Sequence, residues 1–211
     1  MADQFPDAEV RGIDLSPIQP AWVPPNCRFE IDDAGQEWTF EENTFDYIHI
    51  RCMAGSFKDW VKLYSECYRC LKPGGILEHQ DFSIRVQADD GSIPPDSMWK
   101  QWEEVFTEVG DKLGQTFEVV QDGRQEKWME EAGFRGVHTQ AFKTAIGGWP
   151  ADKRQKEIGF FNKLSVETGL EGYALYCLTK VLGWEYAAVQ VWLAKVRQTI
   201  QNKRYHAYTT W

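Results

Sequence analysis

Apolar residues that alternate with polar ones divide this chain into short segments separated by turn residues. This period-two pattern predicts six β-strands, near residues 9–14, 27–31, 45–50, 75–81, 135–142 and 205–210. Helical spacing fills several intervals between them. Trp60, Tyr64, Cys67 and Leu71 share one face of a predicted helix that ends before Pro73. Strands that alternate with helices favour an α/β fold, with a Rossmann-like, mostly parallel sheet and helices on both faces.

The spacing changes after the Gly147-Gly-Trp-Pro150 turn. From Asp152 to Asn202 the pattern is nearly all helical, with breaks predicted near Gly169 and Gly183. We therefore predict a single domain. Its parts are a Rossmann-like core at 1–147, a helical insertion or lid at 148–203 and a last strand at 204–211.

The charge balance argues against nucleic acid as a partner. The 211 residues include 23 Lys and Arg against 32 Asp and Glu, a net charge of -9, and such a surface repels a phosphate backbone. No apolar run approaches the roughly 20 residues that span a bilayer, and no leader pattern follows Met1. We expect a protein of the cytoplasm, the nucleus or both, without a membrane partner.

The five cysteines do not form a metal-binding pattern. Cys67 and Cys70 make the single C-x-x-C pair, which lies inside a predicted helix and has no second pair to complete it. A zinc site needs four ligands in workable geometry. We expect no bound metal, and we interpret all five thiols as reduced.

Tryptophan is unusually frequent, with ten residues in the chain and six of them after Gln101. Large aromatic side chains suit a lid over a flat substrate. Core packing remains the simpler explanation for any single tryptophan.

Acidic residues end the first two predicted strands: Asp14 ends one, and Asp32 and Asp33 follow the other. The carboxyl ends of parallel strands line the crevice in which such sheets bind ligands. There Asp14 could accept ribose hydroxyl groups, and Asp33, beside the small Ala34, could accept an adenine amine. The alternatives are local, since Asp14 or Ser16 could cap the next helix and Asp32 could cap a turn.

The third predicted strand brings His49 and Arg51 to the same edge, and a compact loop at 52–55 follows it. Leu71-Lys-Pro-Gly-Gly75 then ends a helix and enters the fourth strand, although turn chemistry alone explains that sequence. The order and spacing of these segments together indicate a nucleotide-type cofactor site.

These segments resemble those of class I S-adenosylmethionine-dependent methyltransferases, most closely the fungal LaeA-like branch associated with secondary metabolism. The resemblance covers essentially the whole chain. In the first half it rests on Gly12-Ile-Asp-Leu-Ser-Pro17, Phe29-Glu-Ile-Asp-Asp-Ala34, Phe45-Asp-Tyr-Ile-His-Ile-Arg51 and Leu71-Lys-Pro-Gly-Gly75. In the second half it rests on Trp149-Pro150, Gly169-Leu-Glu-Gly172, Leu182-Gly-Trp184 and Arg204-Tyr-His-Ala-Tyr208.

By that resemblance the cofactor is S-adenosylmethionine, with Asp14 at its ribose and Asp33 at its adenine. The loop at 51–55 would border the methionine moiety, and Asp32 and Arg51 are further binding candidates. The family's first motif, a strand ending in a glycine-rich loop, has no counterpart here, so we expect the first strand and helix of the fold to be missing. In the family that strand lies between the strands that end at Asp14 and Ile50. We therefore predict a gap or a rearranged pairing there.

Three functions remain open at this point. The resemblance favours a methyltransferase acting on a small molecule, with His49 and His79 as candidate bases; a hydrogen-bonded core histidine is the simpler interpretation of each. The second function is a catalytically inactive regulator of secondary metabolism that acts through protein partners, since members of that branch are linked to velvet-type proteins. The third is a cofactor-free small-molecule cyclase or isomerase. The strand-end acids favour cofactor binding, whereas the absent glycine-rich loop disfavours it.

Overall fold

Seven short strands and five α-helices alternate along the chain, and the computed structural model describes all 211 residues. The first half contains β1 (Val10–Asp14), β2 (Cys27–Ile31), β3 (Phe45–Arg51), α1 (Trp60–Cys70), β4 (Leu71–Gln80), β5 (Val86–Gln87) and α2 (Met98–Leu113). The second half contains α3 (Arg124–Glu131), β6 (Lys143–Ala145), α4 (Lys153–Tyr176), a π-helical turn (Cys177–Val181), α5 (Tyr186–Ile200) and β7 (Tyr208–Thr210). The α/β class is confirmed, and none of the helices combines the length and apolarity that crossing a membrane requires.

The strands form three small sheets instead of one continuous sheet. β1 pairs in parallel with β2, β3 pairs in parallel with β4, and β7 lies between β5 and β6 with antiparallel pairing. No ladder joins β1 to β3, so the predicted gap is present.

The first strand of each parallel pair has a row of backbone groups that no other strand pairs. The Val10 amide donates to the Asn26 carbonyl at 2.9 Å, and the Cys52 amide donates to the Gln80 carbonyl at 3.0 Å. Alternate residues of a parallel strand bond to the same neighbour, so these two bonds fix which residues face outward. The outward-facing backbone groups belong to Arg11 and Ile13 on β1 and to Tyr47, His49 and Arg51 on β3.

Helix α1 forms where the sequence predicts it. The Asp59 carboxylate caps its first turn by accepting the Lys62 amide at 2.8 Å. Its apolar face is buried, with Tyr64 and Cys67 fully enclosed, and the helix ends before Pro73, as predicted. Leu71 begins β4, so the Leu71–Gly75 segment is the irregular start of a strand as well as a helix stop.

Two boundary predictions are wrong. Residues 135–142 form no strand, and β6 begins only at Lys143, because the antiparallel register pairs β7 with residues 143–145. Beyond β6, only Phe142 continues the pairing, through its two backbone hydrogen bonds to Trp211. α4 also continues through Gly169 without a break. The roughly 1 kcal/mol that a glycine costs inside a helix is offset by the fully buried Leu170 and Ala174 in the following turn. The break at Gly183 is confirmed, with φ at 75°.

The apolar core lies in two clusters away from β1 and β2. One cluster joins α2, α4 and α5 around Phe106, Leu170 and Leu193. The other packs α1 and α3 beneath β3 and β4. No residue before Ile50 is buried, so the β1–β2 sheet contributes no buried side chain to the core.

Candidate cofactor site

Two acidic residues, Asp14 and Asp32, lie at the adjacent ends of β1 and β2. The parallel register places the strand ends side by side, and the Asp32 amide donates to the Asp14 carbonyl at 3.1 Å. One oxygen of each side chain is used locally: Asp14 accepts the Ser16 amide at 2.8 Å, and Asp32 accepts the Asp33 amide at 2.8 Å. Both side chains are exposed, so each has a second oxygen available to a ligand.

Asp33 is more fully engaged than its neighbours. One oxygen accepts the Gly35 amide at 2.9 Å, and the other accepts the Gln36 side-chain amide at 3.1 Å. The turn-capping role that the sequence suggested for Asp32 is therefore shared by Asp33. A ligand amine could displace only the Gln36 side chain, because the Gly35 amide is part of the turn itself.

The loop at 52–55 is fixed from two sides by contacts that sequence patterns do not show. The Asp81 carboxylate accepts the Met53 amide at 2.8 Å, and the Thr116 carbonyl accepts the Gly55 amide at 2.8 Å. Gly55 has a φ of 77°, and the Phe117 ring lies where a side chain at position 55 would stand. Two of the loop's amides are therefore already bonded within the protein. Asp81 was detectable as the acid that ends a third predicted strand; Thr116 carried no signal.

His79 lies inside a closed network. Its Nδ1 is 2.6 Å from the Tyr64 hydroxyl and 3.0 Å from the Gln125 side-chain amide. Because the Gln125 nitrogen can only donate, Nδ1 is the acceptor, and Nε2 carries the proton that faces the Asp81 carboxylate at 3.2 Å. The Trp60 ring stacks on the imidazole with centroids 5.0 Å apart. The side chains of His79 and Asp81 are completely buried, so His79 is a hydrogen-bonded core histidine here.

His49 and Arg51 are exposed on β3, on the other side of the gap from Asp14. The His49 ring stacks on Tyr47 with centroids 6.2 Å apart. The Tyr47 hydroxyl donates to Glu78, and burial together with this carboxylate raises the pKa of Tyr47 to about 12.

Burial and the nearby Asp81 raise the pKa of Cys52, against a smaller opposite effect of Arg51. Arg51 forms no ion pair.

Four of the six later tryptophans belong to or pack against the core clusters, and Trp149 does not. Trp102 and Trp192 stack with centroids 5.8 Å apart between α2 and α5. Trp149 is partly exposed and lines a cleft of about 600 Å³ together with Phe142 and Tyr208. Its other lining residues are Asp89, Ala141, Lys143, Thr144, Ala145, Pro150, Gln155 and Ile158.

Residues 1–139 match a family described as a methyltransferase domain. A methyltransferase of Aspergillus terreus named pytC is 38% identical over 98% of this chain, which covers 63% of that protein. The secondary metabolism regulator LAE1 of Cochliobolus heterostrophus is 35% identical over 99% of this chain and 68% of its own length. The chain thus spans about two thirds of the length of these relatives.

A solved structure has the same fold. The Haemonchus contortus phosphoethanolamine N-methyltransferase 2, in complex with phosphomonomethylethanolamine and S-adenosylhomocysteine, superposes with a TM-score of 0.50 at 20% identity. The match covers 99% of this chain and 44% of that one. The Rossmann-like assignment is therefore confirmed.

Proposed function

Because this chain belongs to the methyltransferase-domain family, whose cofactor is S-adenosylmethionine, we propose that it is a methyltransferase that modifies a small molecule of fungal secondary metabolism. The observation that carries the proposal is the pair of exposed carboxylates, Asp14 and Asp32, at adjacent strand ends. Each carboxylate has one oxygen that accepts no hydrogen bond within the protein. A free acceptor of this kind is what binding the hydroxyl groups of a nucleoside requires.

The residues fit the nucleoside half of the cofactor better than the methionine half. Asp14 and Asp32 would accept the ribose hydroxyl groups, and Asp33 would accept the adenine amine after releasing Gln36. At the other end, the amides of Met53 and Gly55 are already bonded. Arg51 is the remaining cation for a carboxylate, since no acid of the protein pairs with it. When bound, S-adenosylmethionine supplies an electrophilic methyl group on its sulfonium.

We expect affinity to be modest without a glycine-rich loop. A hydrogen bond to a charged group contributes about 1.5–3 kcal/mol, and each 1.4 kcal/mol is about tenfold in affinity. The loss of even one such bond therefore weakens binding by about a factor of ten or more.

Methyl transfer is an in-line displacement, so positioning contributes most and a strong base is optional. His49 is exposed and remains the candidate base, whereas the buried His79 acts through Asp81 on the loop at 52–55. The cleft at Trp149 has the volume of a small-molecule site. β7, which contributes Tyr208 to this cleft, is bonded to the segment after β4, where the Ser83 amide donates to the Thr210 carbonyl at 2.8 Å.

A second function is favoured by one observation. LAE1, at 35% identity, carries the name of a secondary metabolism regulator, and the helices after residue 152 leave large apolar side chains exposed. Such a regulator would act through protein partners and would not need methyl transfer.

Calorimetric titration of the chain with S-adenosylmethionine tests the first proposal. We expect binding in the micromolar to low-millimolar range, weakened at least about tenfold in Asp14→Ala because a hydrogen bond to a charged group is lost. Asp7→Ala is the matched control, since Asp7 is an exposed acid without a hydrogen-bond partner. A folded protein that binds no cofactor, or an Asp14→Ala variant that binds as wild type does, would overturn the proposal and leave the regulator in its place.

A further inference from the structure

Helix α4 presents an apolar outer face that no other part of the chain covers. Its inner side is enclosed at Gly159, Leu170 and Ala174. On the outer side, Phe161 is 60% exposed and Leu164 is 51% exposed. Further apolar side chains exposed on this helix are Ile158, Phe160, Tyr173 and Tyr176. Single exposed apolar residues are ordinary, but a cluster of this kind on one helix marks a contact surface.

Two of these apolar residues, Phe161 and Leu164, belong to a stripe along the helix. The exposed residues Arg154 and Thr168 and the half-buried Glu171 complete it, since the five recur at intervals of three, four or seven, which places them on one side of an α-helix. A shallow groove of about 630 Å³ runs along the first half of this stripe. Its lining residues are Arg154, Glu157, Ile158, Phe161, Asn162 and Ser165.

The charges on the stripe identify what fits it. Lys153 and Arg154 make its first turn basic, and Glu171 lies near its other end. If a second α4 lies antiparallel with its Leu164 against Phe161, then Arg154, seven residues before Phe161, faces Glu171, seven residues after Leu164. A two-fold axis produces each of these contacts twice. A parallel arrangement would instead bring like charges together.

We infer that this outer face binds a second copy of the chain, with the two α4 helices antiparallel across a two-fold axis. A 24-residue helix is about 36 Å long and about 10 Å wide. A strip of that size is smaller than the roughly 800 Å² per partner of a standard stable interface. The dimer is therefore weak and forms at micromolar concentrations.

Sedimentation velocity of the full chain from about 5 to about 200 µM tests this inference. Wild type should shift from monomer to dimer across that range, and Leu164→Glu should stay monomeric. Val191→Glu is the matched control, because Val191 is an equally exposed apolar residue on α5 and should leave the dimer unchanged. A wild type that stays monomeric throughout would overturn the inference and leave the face to a different protein. So would dimerisation that Leu164→Glu does not affect.

A charge exchange tests the antiparallel register separately. Arg154→Glu and Glu171→Lys should each weaken the dimer about tenfold, since each places like charges opposite one another twice. The double variant should recover wild-type dimerisation. Lys195→Glu is the control, because it makes the same change in net charge as Arg154→Glu at an exposed position of α5. It should have no effect on the dimer. Circular dichroism checks that Glu171→Lys folds, because Glu171 also accepts the Gln190 side-chain amide at 2.8 Å. A double variant weaker than both single variants would overturn the register.

Discussion

His79 illustrates how one buried polar side chain holds several elements in place. It bonds Tyr64 on α1, Gln125 on α3 and Asp81 after β4. Its removal would leave the buried Tyr64 hydroxyl without a partner, and an unsatisfied buried group costs about 1–3 kcal/mol. The Asp81 carboxylate would lose one of its hydrogen-bond donors and keep the Met53 and Phe82 amides. The network therefore stabilises the site indirectly, through the Asp81 bond to the loop at 52–55.

We predict that His79→Ala lowers the free energy of unfolding by about 3 kcal/mol, because it creates a cavity and leaves the buried Tyr64 hydroxyl without a hydrogen-bond partner. His49→Ala, at an exposed position, should change it by less than about 0.5 kcal/mol. Urea denaturation followed by tryptophan fluorescence measures both. Equal losses in the two variants would show that the buried network does not stabilise the fold.

The hydrogen bond between Tyr47 and Glu78 gives a measurable titration. Burial, and after it the Glu78 carboxylate, raise the pKa of Tyr47 to about 12 in the folded protein, above the unfolded value of about 10. The neutral Tyr47 side chain therefore favours the folded state fully below pH 10. The stabilisation is lost as the pH rises from about 10 through about 12. Ultraviolet titration of tyrosinate should contain a late component near pH 12 that Tyr47→Phe removes. Tyr173→Phe, which removes an exposed hydroxyl without a hydrogen-bond partner, should leave that component in place.

Some of the site could be predicted from single residues, and some could not. Asp14 and Asp32 stand out because strand ends follow directly from alternation along the chain. The contacts that fix the loop at 52–55 come from Asp81 and Thr116, which only the folded chain brings close. For the same reason, the sequence could name His79 as a candidate but could not show that it is buried.

At the scale of elements, Gly55 connects β3 to the segment before α3. Its φ of 77° and the adjacent Phe117 ring leave no room for a side chain. We predict that Gly55→Ala destabilises the fold by about 2–4 kcal/mol, from backbone strain plus overpacking. Gly91→Ala is the matched control, since Gly91 has a φ of 68° but open space around it. It should cost only about 1 kcal/mol.

Thermal or urea unfolding compares the two variants, and Phe117→Ala identifies the cause. In the Gly55→Ala background, Phe117→Ala should cost less than it does alone, because the clash has already displaced the ring. Strictly additive effects would contradict the close packing of Phe117 on Gly55.

Helices were easier to predict than strands for a physical reason. Trp60, Tyr64 and Cys67 repeat at helical spacing, and α1 needs only its own backbone to form hydrogen bonds. A strand needs a neighbour: the stretch at 135–142 alternates suitably, yet only its last residue, Phe142, forms strand-like backbone hydrogen bonds, to Trp211. At Gly169 the sequence predicted a helix break that does not occur, because buried side chains in the next turn stabilise α4 across this glycine.

At the scale of the whole molecule, the two parallel sheets, β1–β2 and β3–β4, should differ in stability. β1 and β2 contain no buried residue, whereas β3 and β4 lie on a core cluster. We predict that amides of Cys27–Ile31 exchange with solvent at least about a hundredfold faster than amides of β4, because local opening is cheaper where few apolar contacts form. Hydrogen exchange followed by mass spectrometry measures this. Equal protection in both sheets would contradict the conclusion that β1 and β2 lie outside the core.

This separation has an evolutionary consequence. The acids proposed to hold the cofactor lie at the ends of β1 and β2, which contribute no buried side chain to the core. Selection for a stable core therefore does not preserve them. A lineage can exchange them one at a time while its helices and their surfaces remain intact. Active enzymes and catalytically inactive proteins of the same fold can therefore descend from one ancestor through a few substitutions at exposed positions, and every intermediate can still fold.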